Sequence, residues 1–224
     1  MSPDILLTLW LSPAFPVGAF AYSHGLEWTA EAGDVRDEAT LAAWLADLVE
    51  HGSVRADAIL LAAAMRAASA RDAEALRETN DLALALAPSS ERRLETAQQG
   101  RSFHAAIAAA WSNDTVEWAS ATLTDEIAYP VAVGIACAAH DIPIPRACEA
   151  FALGFVANLV SAAVRLSVIG QTQGQRALAA LAGPVATLGA AAGAASMDDI
   201  GSSAFRSDIA SMRHETQYSR LFRS

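Results

Sequence analysis

Two cysteines and a histidine lie close together in the chain and could act as metal ligands. Cys137 and His140 are three residues apart, which on a helix places both side chains on one face, and Cys148 follows a short segment that two prolines interrupt. Thiolate and imidazole ligands suit zinc or nickel. Both cysteines, however, are surrounded by small and apolar residues, as core-filling cysteines commonly are, and the chain has no C-x-x-C pair. We therefore predict no metal site, with direct metal carriage by these three residues as an alternative.

The same thiols allow an enzymatic alternative. A helical enzyme that encloses a small molecule could use Cys137 or Cys148 as nucleophile, with His140 or Glu126 as base. No sequence motif supports this arrangement. We therefore predict no catalytic residue and no cofactor.

The opening loop, residues 12–28, reads SPAFPVGAFAYSHGLEW and presents three aromatic side chains between prolines and glycines. Prolines keep the backbone extended and a glycine permits a tight turn, so the aromatics come from a stiffened segment. They either pack back on the core or form a recognition patch in which Tyr22, His24 and Glu27 take part. No strand precedes the glycines, as a dinucleotide-binding fingerprint would require.

The amino-acid composition of the chain excludes several classes of function. The 224 residues are 53% hydrophobic and 18% charged, which indicates a folded chain with one large core. All 15 basic residues are arginines, so lysine Schiff bases and the P-loop lysine are excluded. A net charge of -10 argues against a nucleic-acid partner. Only two cysteines are present, and with no basic N-terminal leader we expect a cytoplasmic protein.

One uncharged stretch, residues 177–197, has about the length of a membrane span. It consists mostly of alanine and glycine and contains Pro184, and such residues gain little from lipid. We expect no membrane span.

Helical periodicity dominates the chain, and no fixed repeat divides it. We predict an all-α protein, a single compact domain of roughly eight to ten helices around a buried central helix, with a flexible C-terminal tail. The proposed division is 1–200 for the helical domain and 201–224 for a partner-binding tail. Helices are predicted at 3–10, 24–32, 37–52, 54–69, 72–86, 89–111, 114–121 and from 129 onward.

The central helix is the apolar segment around residues 151–170, and it carries a narrow polar stripe. Asn158, Ser161 and Arg165 recur at helical spacing on this otherwise apolar element. An unpaired charge there would be costly. Arg165 therefore either caps carbonyls or pairs with an internal carboxylate, or the stripe faces a subunit interface or a wet passage.

The C-terminal residues 205–224 form the second exceptional segment. They contain four arginines and two acids, so this tail is positive on an acidic body. Aromatic and apolar residues alternate with the arginines, a mixture typical of partner-binding segments. We expect this tail to become ordered on binding a partner.

Five segments together resemble the UreF family of urease accessory proteins. They are SPAFPVGAFAYSHGLE, ETAQQGRSF, YPVAVGIACAAHDIP, RLSVIGQTQGQ and MRHETQYSRLFRS. The resemblance implies an all-helical, dimeric cytoplasmic protein without catalytic activity. It also implies the partners UreD (also called UreH) and the GTPase UreG, in an assembly that delivers nickel to apo-urease, so that the metal of the carrier alternative would be nickel.

The resemblance also assigns residues to surfaces. The resemblance implies that the opening loop, through Tyr22, His24 and Glu27, belongs to a functional surface, for which the side that faces the GTPase is the candidate. The tail residues that would contact UreD are Arg206, Arg213, His214, Glu215, Tyr218, Arg220, Phe222 and Arg223. Those that would shape the region near the dimer are Asn158, Ser161, Arg165, Gln171, Gly174 and Gln175.

Overall fold

The structure is a computed structural model that describes residues 1–224, and it contains eleven α-helices and no strand. In chain order the helices are α1 (Pro3–Trp10), α2 (Leu26–Glu31), α3 (Glu38–His51), α4 (Ser53–Ala70), α5 (Ala73–Ala85), α6 (Ser90–Ala110), α7 (Asp114–Thr122), α8 (Tyr129–Ala139), α9 (Ile144–Arg165), α10 (Gln171–Ala194) and α11 (Phe205–His214). Short 3-10 turns lie at Ala19–Ala21 and Met197–Asp199. The predicted all-α class is confirmed.

Polar side chains fix where several helices begin. At α3, Asp37 accepts a hydrogen bond from the backbone N–H of Thr40 at 2.9 Å, and the Thr40 hydroxyl accepts one from the backbone N–H of Asp37 at 3.1 Å. Asp72, Ser89 and Asn113 cap α5, α6 and α7 in the same way. Each cap satisfies N–H groups that the first helical turn leaves unpaired. Because caps are local signals, the predicted starts of these helices agree closely with the structure.

The core is one cluster of 55 buried residues, centred on α4, α8 and α9. Helix α8 buries eight of its eleven residues because it packs mainly against α4, α6 and α7. Its alternating Val131, Val133 and Ile135 resemble a strand in the sequence, yet they lie on a helix that is apolar all round. Helix α9 packs along α10 and α4, as a central helix should.

Two helices, α9 and α10, are long and apolar enough to cross a membrane by length and composition alone. Half of the apolar window of α9 and a third of that of α10 are buried inside the fold. Helix α9 is therefore a core helix of this domain.

The C-terminal segment differs from the flexible tail that we expected. Helix α11 packs on α2 and α6, and the chain then returns along the opening loop. Phe222 is only 4% exposed and Ser224 is fully buried. The tail is ordered because its residues donate hydrogen bonds to buried carboxylates of α2 and α6.

Gly100 permits the closest approach between α6 and the segment that leads into α8. A Cβ atom at this position would lie 1.9 Å from the carbonyl oxygen of Ile127, whereas a Cβ atom at Gly183 in α10 would meet nothing within 4 Å. We expect Gly100→Ala to lower the free energy of unfolding by about 1–3 kcal/mol through overpacking. Gly183→Ala should raise it by about 0.5–1 kcal/mol, because alanine favours the helix. Urea denaturation checks both, and equal effects of the two variants would contradict this packing.

Candidate interaction site

The opening loop, the first turns of α2 and α6, and the C-terminal residues meet at one end of the fold. We call this region the tail-docking site. On the body it contains three buried or half-buried carboxylates, and on the tail it contains their partners. Its main residues are Glu27, Glu91 and Glu95 on the body and His214, Arg220, Leu221, Phe222 and Ser224 on the tail.

Glu27, in the first turn of α2, binds the backbone of the tail. Its carboxylate accepts hydrogen bonds from the N–H groups of Leu221 at 2.6 Å and Phe222 at 2.9 Å. The residue is 7% exposed, so these bonds replace the water that burial removes. Hydrogen bonds to a charged acceptor are stronger than neutral ones, and Glu27 therefore anchors the tail at this point.

His214, the last residue of α11, lies fully buried between two carboxylates. Its Nδ1 is 2.7 Å from Oε2 of Glu91, and its Nε2 is 3.2 Å from Oε2 of Glu27. The other oxygen of Glu91 accepts a hydrogen bond from the guanidinium of Arg220. Two acids and two basic groups thus form a compact network that joins α2, α6 and the tail.

Glu95, one turn along α6 from Glu91, forms a second network. Its carboxylate contacts His24 at 2.8 Å, the guanidinium of Arg92, the amide of Gln99 at 2.8 Å and the hydroxyl of Ser224 at 2.9 Å. Burial alone would raise the pKa of Glu95, but the charge of Arg92 and the bonds from His24 and Ser224 lower it to about 2. Burial, together with the charge of Arg92, lowers the pKa of His24.

The backbone between the opening loop and α2 is shaped to receive the tail. Ser23 donates both its N–H, at 2.7 Å, and its hydroxyl to the carbonyl oxygen of Ser224. Gly25 has φ +76°, and a Cβ atom there would lie 2.7 Å from the backbone nitrogen of Ser211 in α11. The glycine therefore serves both the left-handed turn and the close contact between α2 and α11.

Glu215 caps the start of α6 from the tail. Its carboxylate accepts hydrogen bonds from the N–H groups of Ser90 at 2.8 Å and Glu91 at 3.2 Å, and from the Ser90 hydroxyl. A negative charge is favourable at a helix N-terminus, where N–H groups are unpaired. The bond from Ser90 lowers the pKa of Glu215. The tail thus completes a helix of the body.

The remaining tail residues point outward. Tyr218 is fully exposed and Leu221 is 65% exposed, and both come after α11 in the chain. We call this apolar surface the outer tail face; it comprises Phe205, Ile209, Met212, Tyr218 and Leu221. Arg213 and Arg223 are exposed beside it, while Arg206 forms an ion pair with Asp34 at 3.0 Å.

The opening loop divides its aromatic side chains between core and surface. Phe15 is buried against Phe103, with ring centroids 5.0 Å apart, and Phe20 is 69% exposed. Tyr22 is buried, and its hydroxyl donates to the amide oxygen of Gln98 at 2.6 Å. The backbone N–H of Arg223 donates to the carbonyl oxygen of Ala21 in this loop at 2.8 Å. The loop is therefore a support for the tail as well as a surface.

The polar stripe on α9 supports the same region. The Arg165 guanidinium donates to the carbonyl oxygen of Phe20 and lies 4.4 Å from the centre of the Phe222 ring. Asn158 donates to the carbonyl oxygen of Tyr22 at 3.3 Å. Arg165 thus caps carbonyl groups, as one of the two sequence interpretations expects. Ser161, between them, is exposed.

The three predicted residues at the start of α10 have different environments. Gln171 and Gln175 are exposed. Gly174 is buried, and a Cβ atom there would lie 3.0 Å from Cγ1 of Val160. Gly174 therefore lets α10 pack closely on α9, and the two glutamines form part of the surface.

The residues of the alternative chemistries lie apart from this site. Cys137 and Cys148 are fully buried, and burial raises the pKa of both thiols, that of Cys148 to about 12. His140 has its Nε2 3.0 Å from the carbonyl oxygen of Trp111, and Glu126 pairs with Arg93 at the surface. No three His, Cys, Asp or Glu side chains are grouped to hold a metal.

Sequence reasoning missed the α6 side of the site, Glu91, Arg92 and Glu95, and also Asp57 on α4. Charges of alternating sign on a helix normally indicate a solvated face. Here the partners come from distant parts of the chain, since His24 lies 68 positions from Arg92 and His214 lies 123 from Glu91. Asp57 lines a cavity of about 190 Å³ beside His24 and Glu95. Burial removes water from the Asp57 carboxylate, and this is the main reason why its pKa rises to about 7. No local pattern marks a carboxyl that tertiary packing buries.

Comparison with known proteins places the chain among named relatives. The profile of the UreF family matches residues 35–182. "Urease accessory protein UreF" of Xanthobacter autotrophicus is 56% identical over 225 residues, which cover 100% of this chain and 93% of that protein. Proteins with the same name from Methylobacterium radiotolerans (55% identical, covering 97% of this chain and 95% of the relative) and Methylorubrum populi (54%, covering 100% of both) are similarly close.

Asp57 generates a pH prediction. Its pKa is about 7 in the folded chain and 3.8 ordinarily, so the folded state binds the proton more tightly. The stability that this proton contributes is complete below pH 3.8 and is lost as the pH rises through 7. Asp57→Asn should therefore match the wild type near pH 4 and exceed its stability at pH 8 by about 2 kcal/mol, because the half-buried site screens part of the effect.

Thermal unfolding between pH 4 and pH 8 measures this difference, with the exposed Asp81→Asn as a control that should follow the wild type. Parallel pH profiles of the wild type and Asp57→Asn would contradict the assignment.

Proposed function

Because the chain belongs to the UreF family of urease accessory proteins, we propose that it is a scaffold in urease maturation that binds UreD (UreH) and the GTPase UreG and assists GTP-dependent nickel insertion into apo-urease. The family is one of accessory proteins, and its members are not named as enzymes. Nickel is the cargo of this assembly, and no residue of this chain is assigned to hold it.

The outer tail face is the observation that carries the proposal. Five large apolar side chains are half or more exposed there, on a segment that the buried carboxylates hold in place. Several exposed apolar side chains on one segment are typical of protein interfaces, and arginines and aromatic residues supply the strongest contacts there. A fixed segment also loses less entropy on binding than a disordered one.

We assign the outer tail face, with Arg213 and Arg223 beside it, to UreD. The opening loop, through Phe20 and the region of Tyr22, is assigned to the GTPase. Both surfaces belong to the tail-docking site. UreD and the GTPase, when bound there, would therefore be held in a fixed position relative to each other. Arg206, which pairs with Asp34, extends the same surface.

The predicted partner-binding residues that are buried would affect binding indirectly, by holding the tail in place. His214, Glu215 and Phe222 contact their own chain, as do Glu27 and His24 on the body. Their role in partner binding is then to hold the outer tail face in position. Substitution of these residues should weaken binding only by releasing the tail.

A second copy of the chain is the proposed partner in a homodimer. The exposed side of α10 supports this, since it is uncharged between Arg176 and the end of the helix. Gln171 and Gln175 at the start of α10, and Ser161 on α9, would border such an interface. Two free, buried cysteines suit a reducing compartment, which supports a cytoplasmic location.

The proposal predicts the effect of trimming the outer tail face. Tyr218→Ala together with Leu221→Ala removes two exposed side chains and leaves both carboxylate networks in place. We expect at least a tenfold loss of affinity for UreD, since two interface anchors are worth about 2 kcal/mol or more. Helical circular dichroism and thermal stability should stay unchanged.

Titration calorimetry with purified UreD measures this loss. The matched control is Leu86→Ala, which trims a 44% exposed leucine at the end of α5 and should bind like the wild type. Unchanged affinity of the double variant would refute the assignment of this face.

A further inference from the structure

His214 occupies a position that a neutral histidine fills poorly. Both of its ring nitrogens lie within hydrogen-bond distance of carboxylate oxygens, at 2.7 Å and 3.2 Å, and its side chain is fully buried. A neutral imidazole has one N–H donor and one lone pair, so one nitrogen would face a carboxylate oxygen without a proton between them. The imidazolium form donates from both nitrogens.

The charges around His214 agree with this form. Glu27 from α2 and Glu91 from α6 are the two acids in contact, and Arg220 from the tail is the only other basic group bound to them. Glu27 also accepts two backbone N–H bonds, one on each carboxylate oxygen. With a protonated His214 the four groups are neutral overall, and without that proton they carry one uncompensated negative charge.

The charged groups that lie farther from His214 each have another hydrogen-bond partner. Arg92 on α6 is paired with Glu95, Glu215 caps the start of α6, and Glu31 on α2 accepts a bond from Gln217. None of these replaces the proton of His214. We infer that His214 is a proton-dependent latch, which docks the C-terminal tail on Glu27 and Glu91 as an imidazolium and releases it when the proton is lost.

The latch acts on the segment that carries the outer tail face. When the tail docks, Leu221 and Phe222 bind Glu27 and the surface is fixed. If docking takes up one proton, the equilibrium constant for release rises with pH by at most about tenfold per pH unit. The inference concerns docking within this chain and holds whichever partner the tail binds.

A probe on the tail tests the inference in the full chain. Ser219 is exposed, and Ser219→Cys can be labelled selectively because both native cysteines are buried. Fluorescence anisotropy of the label should be high at pH 6 and fall as the pH rises to 9, with the circular dichroism unchanged. In Glu91→Gln the release should occur at lower pH, since one of the two carboxylates that favour the imidazolium is gone. In the control Asp81→Asn, which removes an exposed carboxylate that makes no hydrogen bond to the tail, it should occur where it does in the wild type.

Nitrogen-15 spectra of the histidine side chains supply the direct readout. With the tail docked, His214 should show both ring nitrogens protonated, and this signal should change together with the anisotropy. A neutral His214 ring in the docked tail would overturn the inference. So would release at the same pH in wild type and Glu91→Gln.

Discussion

The buried carboxylates on α2 and α6 are the constraint on which this end of the molecule depends. Glu27, Glu91 and Glu95 lie where water is largely excluded, and a carboxylate there is tolerated only with a full set of donors. The tail brings these donors in the form of backbone N–H groups, an imidazole, a guanidinium and a hydroxyl. Body and tail are thus electrostatically complementary parts of one fold.

This constraint connects the local structure with the proposed function. Ordering twenty residues costs conformational entropy, which charge-assisted bonds and the burial of Phe222 offset. The same bonds decide which side of the tail faces solvent. Polar anchors point inward, and apolar side chains such as Tyr218 and Leu221 point outward, so the surface offered to a partner follows from the chemistry beneath it.

Local patterns predicted much of the fold, and long-range pairing limited the rest. Caps such as Asp37 and Ser89, and the apolar faces between them, mark helix starts within the sequence itself. The composition of the tail marks residues 205–224 as exceptional in the sequence. Their docking was not predicted, because His214 meets Glu27 across 187 positions and Ser224 meets Glu95 across 129. Only the folded chain brings such charges together.

Amide hydrogen exchange of Leu221 and Phe222 in the full chain tests the central claim most directly, since both N–H groups donate to Glu27. We predict strong protection in the wild type and in the control Asp81→Asn, whose carboxylate is exposed and makes no hydrogen bond to the tail. In Glu27→Gln, whose amide carries no charge and can offer only one acceptor oxygen, this protection should be lost while α6 stays protected. Rapid exchange of these two amides in the wild type, or full protection in Glu27→Gln, would contradict the account.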